Sequence, residues 1–334
     1  MKLYFAPLEG IGGYLYRNAQ ADHFPKADKY FSPFLSPGAK KRLTPRDLKD
    51  VAPEHNEKIC LVPQVMANQA KVFVETVLEL RELGYGEVNL NLGCPSRTVV
   101  SKGRGAGFLG DPEELESFFD ETFKSLGAVG EDVRISVKTR IGMRDPREFE
   151  RLLKVYDQYP ISELIIHPRV QADYYKNHPN MEAFAYALTH TKIPIAYNGD
   201  LFSVTAFLRF HSDFPDVASV MIGRGVLSDP ALFGEIRTAL GDPSLTREAE
   251  EESALTNAAL LAFHDRLLAD YEENLSGEKV VLFKMKELWS YMIFVFPDSA
   301  KYGKAIRKAQ HLPDYREAVD RLFSERNVQE SSLK

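Results

Sequence analysis

Cysteine is nearly absent: the 334-residue chain holds Cys60 and Cys94 and no others. Two thiols make no disulfide framework, which points to a reducing compartment, the cytoplasm. With so few thiols and no close pair of histidines, neither a zinc nor an iron–sulfur site can be written, so no metal is expected. No apolar run approaches the roughly 20 residues of a membrane span, so no membrane partner is expected either. The first residues, Met1-Lys2-Leu3-Tyr4-Phe5-Ala6-Pro7, lack the apolar core of a secretory signal. Asn274-Leu275-Ser276 spells a glycosylation sequon, which a cytosolic chain never shows to that machinery. Acid outweighs base to a net charge of −6, which argues mildly against a nucleic-acid partner until the local distribution is considered.

What is present is a large apolar fraction, 44%, and a repeating pattern. Strand-like runs fall at 3–8, 29–31, 59–65, 87–92, 133–140, 164–167, 193–197 and 219–222, with helical or glycine-rich stretches between them. About eight alternations up to roughly residue 240 are the signature of a (β/α)₈ TIM barrel, an α/β fold. From 246 to 323 no run looks like a strand. Amphipathic helical stretches near 248–274, 279–294 and 300–323 predict an all-helical appendage. The expected division is a catalytic barrel at 1–242, a helical domain at 243–325 and a flexible tail at 326–334.

A parallel barrel does its chemistry just past the ends of its strands. Those positions hold Pro7 to Gly10, Gln64, Asn91 with Cys94, Lys138, His167, Asn198 with Gly199 and Asp200, and Gly223 with Arg224. Together they make a wide polar pocket with amides, two cations and one thiol, but no acid pair suited to glycoside hydrolysis. Gly223-Arg224-Gly225 offers backbone N–H groups and a guanidinium to a phosphate. Lys138 can hold negative charge on a second group. Gln64 and Asn91 both donate and accept, which suits an aromatic ring edged with carbonyl and N–H groups. A phosphate tail on a polar-edged ring describes flavin mononucleotide (FMN). Each residue alone has a plain alternative: a solvated arginine, a structural histidine, a buried thiol. Their coincidence at seven strand ends carries the weight.

The motifs Ala6-Pro7-Leu8-Glu9-Gly10, Asn89-Leu90-Asn91-Leu92-Gly93-Cys94-Pro95, Ser136-Val137-Lys138-Thr139-Arg140, Ile166-His167-Pro168-Arg169, Asn198-Gly199-Asp200 and Met221-Ile222-Gly223-Arg224-Gly225 stand in this order along the chain. As a set the chain resembles the bacterial tRNA-dihydrouridine synthases over nearly its whole length. The resemblance implies an FMN-bearing barrel with a helical tRNA-binding domain that reduces a uridine in tRNA with NADPH or NADH. It also implies that Ala6, Pro7, Leu8, Gln64, Asn91, Lys138, His167, Asn198, Gly199, Asp200, Gly223 and Arg224 hold the cofactor. Three stretches depart from the common family pattern: Gly12-Gly13 in place of Thr-Asp, His167-Pro168-Arg169-Val170 in place of His-Gly-Arg-Thr, and the loop 102–108.

Reduction of the uracil C5–C6 bond needs a hydride at C6 and a proton at C5. A neutral thiol can give that proton, and Cys94 is the residue expected to do so. The base must leave its stack to reach the pocket, which costs a few kcal/mol. Lys279, Lys284, Lys286, Lys301, Lys304, Arg307 and Lys308, with Lys40, Arg42 and Arg169, are the candidate phosphate contacts that offset this cost; a merely solvated helix face is the alternative. A monomer is expected. Two other functions stay open: a dihydroorotate-dehydrogenase-like FMN enzyme acting on a free pyrimidine, and a non-catalytic RNA-binding barrel.

Overall fold

A computed structural model describes residues 1–38, 43–130, 133–241 and 254–329. Lys40 and Arg42 lie outside the described residues, as does the junction expected at 242–243. The chain falls into two compact units. The first takes residues 1–7, 29–200 and 216–221, and the second takes 8–28, 201–215 and 222–334.

The first unit is the barrel. Its strands are β1 (Lys2–Phe5), β2 (Lys29–Phe31), β3 (Leu61–Val62 and Gln64–Val65), β4 (Glu87–Leu92), β5 (Arg134–Arg140), β6 (Leu164–His167), β7 (Ile195–Tyr197) and β8 (Ser219–Ile222). The paired strands run parallel. The sheet counts nine segments, and the first and last in its order are the two halves of β3. The run 59–65, expected as one strand, is split at Pro63 because proline has no N–H for the ladder. The chain does not leave the sheet there: the Pro63 carbonyl accepts from Asn89 N at 2.9 Å. The Gln64 amide donates to Ser32 Oγ at 3.0 Å. The half before Pro63 pairs with β2 and the half after it with β4, so eight strands return on themselves. All six residues of β4 are buried, as a strand with two covered faces requires.

Which side chains point inside follows from the two-residue period of a strand. Tyr4, Ala6, Phe31, Val62, Ile165, Ala196 and Met221 form one buried apolar cluster drawn from six strands around the barrel. Beside it, β4 and β5 turn polar residues inward. Register pairs Gln64 with Asn89, Asn89 with Ser136, and Asn91 with Lys138. Buried polar groups at these positions must find partners, because each one left unpaired costs about 1–3 kcal/mol.

The second unit is helical. It contains Tyr14–His23, Val204–Asp213, Arg224–Ser228, Leu232–Ala239, Asn257–Asn274, Glu278–Met292, Ala300–Lys308 and Leu312–Glu325. The stretch expected as one helix over 300–323 is two, because the chain turns at 309–311 and Pro313 opens a new helix. Tyr16 and Phe263 meet edge to face at 5.7 Å. Trp289 Nε1 donates to Tyr315 OH at 2.8 Å, and that oxygen lies 2.7 Å from His264 Nε2. Among the described residues, no helix is long and apolar enough to cross a membrane.

Candidate active site at the barrel mouth

Asn91 is the last inward residue of β4, and both the oxygen and the nitrogen of its amide are engaged. Its Nδ2 donates to Gln64 Oε1 at 2.6 Å. Its Oδ1 accepts from the backbone N–H of both Gly93 and Cys94 at 3.0 Å. Pro95 follows and prevents the chain from running on as a helix. The thiol is thus set on a turn pinned to a strand end. Cys94 is in no disulfide and half-buried. The turn is closed from behind as well: Ala106 N donates to the Cys94 carbonyl at 3.0 Å. At Gly105 a Cβ would sit 2.9 Å from that carbonyl, and the residue has φ of +53°, so glycine is required twice over.

Lys138 is the cross-strand partner of Asn91. Burial strips water from its ammonium and lowers its pKa to about 7. The neighbouring Arg140 charge acts in the same direction, while Cys94 acts against both. No acceptor among the described residues lies within hydrogen-bond reach of Lys138, so the site presents a cation in need of an electron-rich partner.

Arg140 was not singled out from the sequence, yet it ties the mouth together. Only 1% exposed, it donates to Gly93 O at 3.0 Å, Val170 O at 3.0 Å and Tyr174 O at 2.8 Å. Tyr174 adopts φ of +51°, a strained conformation for a residue with a side chain. The Arg140 bond helps hold it there, and leaves Tyr175 52% exposed with its ring 5.5 Å from the Arg140 guanidinium. Gln171 Nε2 reaches Pro95 O at 3.1 Å, a second tie between this loop and the cysteine turn.

His167 ends β6. Arg169 Nη1 donates to its Nε2 at 3.1 Å. Because a guanidinium only donates, that ring nitrogen accepts, and the neutral tautomer carries its proton on Nδ1. Arg169, expected on an RNA-facing surface, is 2% exposed and makes a bidentate ion pair with Asp200. Asn198 Nδ2 donates to Met221 O at 2.8 Å. A Cβ at Gly199 would lie 1.9 Å from Tyr197 OH, so that turn must pass as glycine. Ala6 belongs to the interior cluster, while Pro7 is half-buried at the end of β1.

The remaining expected residues belong to the helical unit. The carbonyl of Leu8 accepts from Gly12 N at 2.8 Å in the turn after β1. Gly223 is half-buried and precedes the short helix Arg224–Ser228. The Arg224 guanidinium stacks 5.0 Å from the Phe202 ring. Both line a cavity of about 520 Å³ with Ser203, Thr205 and Tyr291, built from this unit alone. The lysines divide into two sets. Lys284 donates to Gly10 O, Lys286 to Ala309 O, and Lys301 pairs with Glu325. Lys279, Lys304, Arg307 and Lys308 are exposed, with no ion-pair partner among the described residues.

A family model described as "Dihydrouridine synthase (Dus)" matches residues 5–325. A tRNA-dihydrouridine(16) synthase of Cupriavidus necator is 24% identical over 92% of this chain and 93% of its own length. A tRNA-dihydrouridine synthase B of Pasteurella multocida is 27% identical over 56% of this chain and 52% of its own length. Among solved structures, a 2-naphthoyl-CoA reductase superposes with a TM-score of 0.55 at 11% identity, over 72% of this chain and 50% of that one. A histamine dehydrogenase from Rhizobium sp. 4-9 gives 0.54 at 12% identity, over 71% and 46%. At such low identity these two likenesses speak for the barrel fold alone.

Proposed function

Since this chain belongs to the dihydrouridine synthase family, we propose that it is a tRNA-dihydrouridine synthase, reducing the C5–C6 double bond of uridine in tRNA with FMN and NADPH. The observation that carries the reading is the Asn91–Cys94 turn beside Lys138: a free thiol pinned at a barrel mouth next to a lysine with no hydrogen-bond acceptor among the described residues.

The mouth fits a flavin ring. Lys138 would relieve its desolvation against an electron-rich edge of the ring, and Gln64 and Asn91 each keep one amide hydrogen unspent. His167 is oriented at the same mouth by the contact of its Nε2 with Arg169. The cofactor phosphate is assigned to the Gly223 amide and Arg224, the residues that directly follow β8. When bound, the flavin supplies the hydride. The chain's own residues do the rest. Cys94 holds the proton destined for C5, and the two hydrogen bonds that Gly93 and Cys94 N–H donate to Asn91 Oδ1 keep that thiol from swinging away. Arg140 and Gln171 hold the facing loop against the same turn, which limits water beside the base. Lys279, Lys304, Arg307 and Lys308 are assigned to the tRNA backbone, where each phosphate contact steepens the fall of log K with log salt by about 0.9. Action in the cytoplasm, where tRNA resides, accords with this assignment.

A dihydroorotate-dehydrogenase-like FMN oxidoreductase acting on a free pyrimidine is the rival. Mapping dihydrouridine in tRNA from a strain lacking the gene separates the two. Loss of the base at one or more positions is the expected result. Intact dihydrouridine together with turnover of free dihydroorotate by the purified protein would favour the rival.

A further inference from the structure

The barrel interior holds a chain of hydrogen bonds that runs from the cysteine turn to the opposite end of β4. Cys94 N–H donates to Asn91 Oδ1 at 3.0 Å, and Asn91 Nδ2 donates to Gln64 Oε1 at 2.6 Å. Gln64 Nε2 donates to Asn89 Oδ1 at 2.8 Å, and Asn89 Nδ2 to Ser136 Oγ at 3.0 Å. Ser136 Oγ–H donates to Glu87 Oε1 at 2.9 Å. Glu87 is held in turn by Lys29 at 2.8 Å and Arg134 at 3.6 Å. Gln64, Asn89 and Ser136 are completely buried, so no water competes for their bonds.

Each donor in this chain points towards Glu87. The two ends impose the same direction: a backbone N–H can only donate, and a carboxylate only accepts. Reversing any one amide would set donor against donor or oxygen against oxygen. Head-to-tail bonds also polarise one another, by about 10–30% per bond. A negative charge at the far end therefore strengthens the grip of Asn91 Oδ1 on the Gly93 and Cys94 amides.

We propose that Glu87, acting through Ser136 and Asn89, is a positioning residue for Cys94, fixing from the far end of the barrel which way the Gln64 and Asn91 amides face. This rests on the reading of Cys94 as the proton donor to uridine. Glu163 supplies the contrast. It is also buried, accepts from Tyr4 OH at 2.9 Å and lies 3.5 Å from Lys29, but it has no bond to Ser136. An uncharged glutamine at position 87 can donate to Ser136 and reverse the series. Asn91 would then turn an N–H towards two N–H groups.

The test compares Glu87→Gln, Ser136→Ala and Glu163→Gln in the full chain. Amide hydrogen exchange at Gly93 and Cys94 is read without regard to catalysis. An acceleration of about tenfold in Glu87→Gln and a smaller one in Ser136→Ala are expected, with none in Glu163→Gln. Ser136→Ala leaves the Glu87 ion pairs in place, so it remains informative if Glu87→Gln folds poorly. Wild-type exchange at both amides in both chain variants would overturn the proposal, as would an equal acceleration in Glu163→Gln. The second readout splits the reaction. Recolouring by tRNA should slow about tenfold in Glu87→Gln and bleaching of the flavin by NADPH by clearly less, whereas equal slowing of both steps would count against positioning of Cys94. If the wild-type protein itself fails to recolour on tRNA, the functional reading fails, and the exchange result still decides the positioning proposal.

Discussion

The strand ends of the barrel and the lysines of the helical unit were read from the sequence by the same kind of argument, and they fare differently. At the barrel mouth, strand period and register determine where each side chain points. Asn91, Lys138 and Gln64 accordingly come together on one interior surface. In the helical unit, charge and helix spacing say little about where a long flexible side chain ends. Lys284, Lys286 and Lys301 are engaged by groups of their own unit, while Lys304, Arg307 and Lys308 are exposed. Short side chains on rigid backbone can be placed from sequence; ends of long ones on a surface cannot.

The sharpest way to break that contrast is at the mouth. Cys94→Ala should lower dihydrouridine formation about 10²–10⁴-fold, the usual worth of a positioned acid, while flavin absorbance stays. Colourless protein from this variant would instead make Cys94 a support for the cofactor. Next in size, Asn91→Ala strands two backbone N–H groups and the Gln64 carbonyl oxygen. A stability loss of about 2–3 kcal/mol is expected in denaturant titration, together with strongly reduced turnover. An unchanged midpoint would show the turn to be held by Arg140 and Ala106 alone.

Lys138 gives a prediction with a sign. Its folded pKa of about 7 lies below the value of an unfolded lysine, so between those two values the unfolded chain binds a proton that the folded one refuses. Stability of the flavin-free protein should therefore rise with pH from about 7 towards 10, and the rise should be missing in Lys138→Met. A rise of equal size in the variant would assign it to another group.

The smallest effects belong to the helical unit. Lys304→Ala, Arg307→Ala and Lys308→Ala should each weaken tRNA binding a few-fold and reduce its salt slope by about 0.9, whereas Lys286→Ala, which loses an internal bond to Ala309, should lower stability more than binding. Equal effects on binding from both sets would erase the distinction between them.

The eight-strand barrel was legible because alternation and strand-end chemistry are local signals. The break at Pro63 was visible as a residue but not as the point where one strand changes partners. The helical unit gathers Tyr14–His23 and Val204–Asp213 with the C-terminal helices, a grouping that no local signal announces. Arg140 stood in a motif without a role, because a strand-end arginine looks the same in sequence whether solvated or, as here, bonded to three backbone carbonyls. The same holds for Arg169, whose pairing with Asp200 spans 31 residues of chain. The hydrogen-bond series left a trace in the alternation Glu87-x-Asn89-x-Asn91 beside Ser136-x-Lys138, but its direction emerges only when the strands are set in register.

The most direct measurement of the central claim takes the flavin-loaded protein and its Cys94→Ala variant, reduces both with NADPH, and adds tRNA lacking dihydrouridine. Wild-type protein should regain its colour and leave dihydrouridine in the tRNA, while the variant bleaches equally fast but recolours far more slowly. Equal recolouring and equal dihydrouridine in the two proteins would contradict the assignment of Cys94 as the proton donor.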